Sequence, residues 1–276
     1  MEIENVTEIR GLVEVYEELA ASKMQKIRHS VVNAQEYYEG LANISEEVSL
    51  DLFENSNTKA KGEAAILLSA EAGLYGDMVD KLIVSFVDFV NKNKSDAFIA
   101  GKAGVNLIKV YDPSFKYQVL DIPMDDEVAN GENLKSVLKM LTEYKKISVF
   151  HGRFQSLVVQ SAVSSSVSGG NLGELGKIID KDEAIKIRLR NLYEPTIAQV
   201  GSKFSDEISL AIFFQSFAEN QLAKYAARLI HLDGALENIN QKIGVYHDEE
   251  RKMRKKSEQK KQTERVSRMI ALRQNI

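Results

Sequence analysis

The sequence predicts an α/β protein with a long antiparallel coiled coil of N- and C-terminal helices plus a small Rossmann-like α/β domain with a mixed sheet. Three observations predict it. The only prolines, Pro113, Pro123 and Pro195, leave both ends of the chain free of the strongest helix breaker. Apolar residues recur at steps of three and four through both ends. The middle alternates short apolar runs with amphipathic segments, the pattern of strands and helices in turn. The expected boundaries are 1–56 for the first helix, 64–194 for the α/β domain and 196–276 for the last helix.

Composition narrows the function classes. The 276 residues are 28% charged and 44% hydrophobic, with a formal net charge of −4, a globular or helical composition. No run of about 18 apolar residues predicts a membrane span. The acidic start Met1-Glu2-Ile3-Glu4 has no signal-peptide pattern. The absence of cysteine removes disulfides, thiolate metal sites, a cysteine nucleophile and thiol redox control. Charge is polarised along the chain. Glu2, Glu4, Glu8, Glu14, Glu17 and Glu18 face only Arg10 at one end, while Arg251, Lys252, Arg254, Lys255, Lys256, Lys260, Lys261, Arg265, Arg268 and Arg273 crowd the other.

In the first helix, Ile9, Leu12, Val13, Tyr16, Leu19, Ala20, Met24, Ile27, Val31 and Ala34 form the predicted seam. Ala64–Ser69 is a short apolar run expected as a buried strand. The segment from Asp77 to Asn91 is expected as a helix with Met78, Leu82, Ile83, Phe86 and Phe89 on its apolar side. Ala97–Ala100 is a second strand, Asn133–Lys145 a helix and Ile147–Phe150 a third strand. Val159–Val167 and Ala184–Leu192 alternate polar with apolar residues, as half-exposed antiparallel strands do. After Pro195 the seam resumes at Leu210, Phe213, Phe214 and Phe217, then Leu222, Tyr225, Leu229, Leu232, Leu236, Ile239, Ile243 and Tyr246. A helix of about 75 residues rises roughly 110 Å, so it projects and needs a partner for its seam. The first helix is that partner in an antiparallel arrangement, which sets the acidic start beside the basic end. Exposed ion pairs, at about 0–1 kcal/mol each, help set register while the apolar seam holds the pair.

No catalytic constellation emerges. Gly169–Lys177 lacks the glycine spacing and the Ser or Thr of a Walker A loop, because Asn171 and Ile178 stand there. Gly101-Lys102-Ala103-Gly104 lacks the third glycine of a dinucleotide fingerprint. His29, His151, His231 and His247 form no metal-ligand pair, and Ser164–Ser166 has no nucleophile-elbow context. No cofactor is expected. From His247 to Arg265 the chain carries dense charge of both signs and almost no apolar residue besides Met253. Interspersed Glu249, Glu250, Glu258 and Glu264, with no interleaved aromatics, argue against nucleic acid. The remaining readings are a solvated helix held by i,i+4 pairs and a surface that docks or slides against another protein. Val266, Met269, Ile270 and Leu272 form a small apolar tip.

These features resemble the gamma subunit of F-type ATP synthases over nearly the whole chain. The resemblance is carried by Ala20-Ala21-Ser22-Lys23-Met24, by Leu67–Gly76 with Tyr75 in the place of a cysteine, and by Phe98–Gly104. It is carried further by Val149–Phe154, Tyr193-Glu194-Pro195, Ala226-Ala227-Arg228-Leu229, Asn238 and Thr263–Ser267. It departs where Glu14, Glu17 and Glu18 replace a basic stretch, at Tyr246-His247, and where Arg268 and Met269 replace small residues. The resemblance implies a non-catalytic rotor stalk of a proton- or sodium-translocating ATPase. Its implied partners are the alpha and beta subunits of a hexamer, an epsilon-type subunit and a membrane ring at the foot. Its implied place is peripheral, on the cytoplasmic face of a membrane. The implied partner-contact residues are Lys23, Arg251, Lys252, Arg254, Lys255 and Lys256, with Val266, Met269 and Ile270 as the bearing tip. Two alternatives remain: a gamma-like subunit of a specialised ATPase serving surface or motility machinery, and a non-rotary coiled-coil interaction module.

Overall fold

The computed structural model describes residues 2–47, 61–124, 137, 143–167 and 197–273. The elements in order are α1 (Glu2–Glu47), β1 (Lys61–Leu68), α2 (Met78–Asn93), β2 (Asp96–Ala100), α3 (Lys102–Tyr111), β3 (Gln118–Leu120), β4 (Tyr144–Phe154), β5 (Gln160–Ser166) and α4 (Ile197–Arg273). They fall into two compact units, Met1–Leu19 with His231–Ile276, and Ala20–Ile230.

The larger unit is built on a five-stranded mixed sheet of order β3-β2-β1-β4-β5. β1 pairs in parallel with β2 (Ala64↔Asp96 to Leu68↔Ala100) and with β4 (Lys61↔Tyr144 to Leu67↔Phe150). β3 adds in parallel to β2, and β5 pairs antiparallel to β4 from Ser148↔Ser166 to Phe154↔Gln160. Ala64 to Leu68 are buried on both faces, which is why β1 is an unbroken apolar run rather than an alternating one. One face, with Ile66, Leu68, Phe98 and Val149, packs against Phe213 and Phe217 of α4. The other, with Ala65, Leu67, Ile99 and Phe150, packs against Leu82, Ile83, Phe86 and Val90 of α2 and Ile108 of α3. Phe86 meets Phe150 and Phe115 edge to face, at centroid distances of 5.6 and 6.0 Å.

The ends of β1 and β2 are knotted at Ser69. Its hydroxyl lies 2.6 Å from the Ala100 carbonyl, to which it donates, and it accepts from the Gly104 amide at 3.1 Å. Gly101 there takes φ 96°, and a Cβ on Gly104 would stand 2.5 Å from Ser69 Oγ. Those close approaches explain the Gly-Lys-Ala-Gly spacing, and they start a helix that the sequence alone left as a turn. The three-residue β3 is too short to show a period. Two boundaries move. The strand expected at Ile147–Phe150 begins at Tyr144, whose hydroxyl donates to Asp96 at 2.8 Å and fixes it across the sheet. Tyr144 and Lys145 are therefore strand, not the end of an Asn133–Lys145 helix, of which only Val137, as helical, and Glu143, as a turn, are otherwise described. The Gly169–Lys177 loop, the Ala184–Leu192 strand and Tyr193–Pro195 lie outside the described residues.

Within the same unit α1 and α4 run antiparallel. Lys23 meets Tyr225 and Tyr37 meets Glu207, at 3.4 Å in each pair. Ala20 and Ile27 are buried with Leu222 and Tyr225, and Met24 and Val31 pack beside them. The seam on α4 starts later than predicted, because Phe213 and Phe217 are taken by the sheet. In the smaller unit Ile3, Val6 and Val13 on α1, and Leu236, Ile239, Ile243 and Tyr246 on α4, are half-buried, while Leu232 is buried. Ile9, Leu12, Tyr16 and Leu19, expected in the seam, are instead 43–58% exposed. Positions 6, 13, 20, 27 and 34 hold a seven-residue repeat facing inward, so the 9-12-16-19 row points elsewhere. Every described residue of α4 from His247 to Met269 is exposed. Among the described residues the basic run is therefore not buried by the acidic start, and the ion pairs of Arg251 and Arg254 are with Asp248 and Glu258 of α4 itself.

His151 on β4 is buried, with Nε2 2.9 Å from Ser165 Oγ and Nδ1 3.2 Å from the Gly152 carbonyl. The neutral Nδ1–H tautomer satisfies both, donating to the carbonyl and accepting from the hydroxyl. Loss of hydration lowers its pKa from 6.5 to about 4, against the opposing pull of Glu219.

Two outcomes follow. Gly104→Ala lowers the free energy of unfolding by about 1–3 kcal/mol; an unchanged denaturation midpoint contradicts the packing described. His151 stays neutral when folded but charges when unfolded, so its stabilisation is complete above pH 6.5 and is lost as pH falls toward about 4. The loss is about 3 kcal/mol at most. The stability difference between the wild-type chain and His151→Gln shrinks across that window in pH-dependent denaturation; a difference that stays constant with pH contradicts it.

Candidate functional site

The functional candidates in this chain are surfaces and a junction. Among the described residues no group of three or more His, Asp or Glu side chains could hold a metal ion, and no helix is long and apolar enough to cross a membrane. Helix α4 carries most of what remains, and its surroundings change along its length.

From Ile208 to Ala227 the helix is largely buried, mainly against the sheet. Its apolar residues Phe213, Phe217, Ala223 and Ala227 are interrupted by Asn220, Gln221 and Lys224, all three buried. These polar groups complete backbone groups that the sheet leaves open at its end. Asn220 accepts from the Gly152 amide at 2.9 Å and donates to the Ser69 carbonyl at 3.3 Å, bridging β4 to the end of β1. Gln221 and Lys224 both donate to the Met124 carbonyl, at 2.8 and 2.6 Å. Buried backbone groups without partners cost about 1–3 kcal/mol each, so this set fixes α4 at one register on the sheet. Gly152 makes the approach possible, since a Cβ there would stand 3.0 Å from both Ala223 Cβ and Met78 Sδ. At the rim, Arg153 pairs with Glu219 at 3.3 Å. Sequence reasoning did not single out this junction. The signal was present as polar residues at 220, 221 and 224, embedded at helical spacing in the apolar stripe 213-217-223-227.

The nominated basic residues lie together on the bare part of α4. Arg251, Lys252, Arg254, Lys255 and Lys256 are all exposed. Their ion pairs are local: Arg251 with Asp248 at 3.9 Å, and Arg254 with Glu258 at 3.5 Å. Such pairs on a helix surface contribute about 0.3–0.5 kcal/mol each and leave the guanidinium groups open to competition from a partner. Val266 and Met269 are half exposed or more, further along the same helix. The side chain of Ile270 lies outside those described. Lys23 stands apart from this group. Its ammonium sits 3.4 Å from Tyr225 Oη and 5.5 Å from the centre of that ring, so its visible role is to join α1 to α4.

A further surface lies on α1. Ile9, Leu12, Val15, Tyr16 and Leu19 stand exposed among Glu4, Glu8, Glu14 and Glu18. Arg10 there is bound to Glu14 at 2.9 Å.

Comparison with known proteins agrees with this anatomy. The profile of the ATP synthase family matches residues 1–264. The ATP synthase gamma chain of Ehrlichia chaffeensis is 23% identical over 261 residues, covering 86% of this chain and 85% of the relative. That of Clostridium perfringens is 23% identical over 246 residues, covering 85% of this chain and 81% of the relative. Among solved structures, the central stalk and c-ring of the Tetrahymena thermophila mitochondrial ATP synthase holds a similar fold. There the TM-score is 0.61 at 13% identity, over 81% of this chain and 99% of the other. A chain of the Euglena gracilis mitochondrial ATP synthase gives 0.54 at 14% identity, over 96% of this chain and 95% of the other. The match along nearly the whole length, with the same two long helices around a central mixed sheet, places this chain in the ATP synthase family, among its gamma chains.

Proposed function

We propose that the chain is the central rotor stalk of a rotary ATPase, turning inside an alpha–beta hexamer and coupling its rotation to changes at the nucleotide sites. The observation that carries this is the single uninterrupted α4. It is anchored to the sheet by buried polar groups at Asn220–Lys224, and from His247 to Met269 it is exposed on every side with only local ion pairs. A helix segment that no described residue buries and that carries dense charge is built to be surrounded by other polypeptides.

The shaft performs no bond chemistry. It acts by differential contact: a site shifts between open and closed only as far as the shaft binds those states unequally. One asymmetric shaft meets three catalytic subunits through different faces, so each rotation carries every site through the same cycle out of phase. Arg251, Lys252, Arg254, Lys255 and Lys256 supply the gripping charge, and Val266, Met269 and Ile270 form the bearing end. Lys23 contributes by holding the helix pair. The sheet would form the foot, where an epsilon-type subunit and a membrane ring would attach. The chain would then sit peripherally on the cytoplasmic face of a membrane. Similarity to stalks carrying a c-ring supports a translocating complex, with proton or sodium as the coupling ion.

The test is a charge reversal. Arg254→Glu, Lys255→Glu and Lys256→Glu together lower coupled ATP hydrolysis or assembly of the purified complex at least about tenfold, the scale expected when several interfacial charges oppose their partners. Unchanged assembly and rotation in a single-particle rotation assay contradict the assignment of these residues.

A further inference from the structure

We infer that Tyr75 is a positioning residue that clamps α4 to the α/β body, so that twist arriving along the helix passes into the sheet instead of being dissipated at the junction. The inference rests on the rotor reading above and adds to it a route for the torque.

Tyr75 is buried in the segment between β1 and α2. Two cations of α4 reach its ring: Arg228 Cζ lies 4.5 Å from the ring centre and Lys224 Nζ 5.8 Å. Both are within the distance at which the negative face of an aromatic ring attracts a cation, and burial strengthens that attraction. Lys224 and Arg228 are four residues apart on one helix face, so the clamp spans a full helical turn. Each cation is also tied to backbone, Arg228 to the Gly73 carbonyl at 3.0 Å and Lys224 to the Met124 carbonyl at 2.6 Å. The ring is therefore held between groups that are themselves fixed.

The segment is shaped to present this ring. Leu74 adopts φ 71° and Gly76 φ 58°, so a leucine flanking Tyr75 holds a left-handed conformation that side chains of its kind rarely adopt. The Tyr75 carbonyl then accepts from the Met78 amide at 3.4 Å, at the start of α2. A displacement of the ring is thus felt at once by α2 and by the end of β1. Among the described residues of 20–230, Arg228 is the furthest along α4 with a hydrogen bond to the α/β body, at the Gly73 carbonyl, which makes this the point where twist on the helix first meets the sheet.

Three kinds of contact predict three different outcomes at this position. A cation–ring clamp survives Tyr75→Phe and fails in Tyr75→Leu. Plain apolar packing treats the two alike and keeps both. Dependence on the hydroxyl loses both. In the isolated full-length chain, hydrogen exchange of the amides of residues 69–79 in Tyr75→Phe matches the wild type. In Tyr75→Leu and in Arg228→Gln it is faster by about three- to thirty-fold, the effect of one buried cation–ring contact. In the assembled complex, Tyr75→Leu keeps unloaded ATP turnover within about twofold but loses at least about half its rotation speed against a viscous load, and Tyr75→Phe restores it. Equal behaviour of the Phe and Leu variants in exchange overturns the clamp. Faster exchange with unaltered loaded rotation overturns the torque role. If the wild-type chain assembles with no hexamer, the rotor reading fails and the torque role with it, while the exchange measurement still decides the clamp.

Discussion

The arrangement depends on how one helix is held by one sheet. Between Ile208 and Arg228, α4 buries Phe213, Phe217, Ala223 and Ala227 and spends Asn220, Gln221, Lys224 and Arg228 on backbone groups of the α/β body. Apolar burial supplies adhesion but little directional preference, since a greasy stripe tolerates sliding. The hydrogen bonds supply register, because a slip of one residue would leave Gly152 N–H and the Met124 carbonyl without partners in a dry interior. A shaft must not turn inside its own foot. This stretch meets that requirement with a mixture of adhesion and direction that neither kind of contact gives alone.

The rest of α4 follows the opposite design. From His247 to Met269 its described residues are exposed, and Arg251 and Arg254 there pair with Asp248 and Glu258 of the same helix. Long-lived apolar adhesion would hold a rotor in one orientation, whereas solvated charges exchange partners at small cost. The helix thus changes from fixed to free along its length, and the sequence changes with it from aromatic and small residues to Lys, Arg and Glu.

Much of this was legible in the chain. Proline placement and three-four periodicity gave the two long helices, and the apolar runs gave β1 and β2 within a few residues. The helix α3 was hidden because Gly101 and Gly104 read as a turn, while in three dimensions they let Ser69 reach the start of a helix. The seam was drawn too wide at Ile9, Leu12, Tyr16 and Leu19, because a helix with two apolar rows does not state which row faces its partner. Opposite end charges suggested contact between the two ends, but the described basic residues are exposed, and Arg251 and Arg254 pair with Asp248 and Glu258 of their own helix. The junction at Asn220–Lys224 escaped notice because buried polar groups look like surface residues until the backbone groups they satisfy are known. Motif order, rather than any one motif, identified the family.

The most direct test is an image of the native complex by electron cryo-microscopy, taken on the chain purified with whatever binds it. The account predicts one copy of this chain per particle, with residues 247–269 of α4 enclosed by a ring of larger subunits and the mixed sheet outside that ring. A particle in which those residues are bare to solvent, or in which the sheet is the enclosed part, would contradict it.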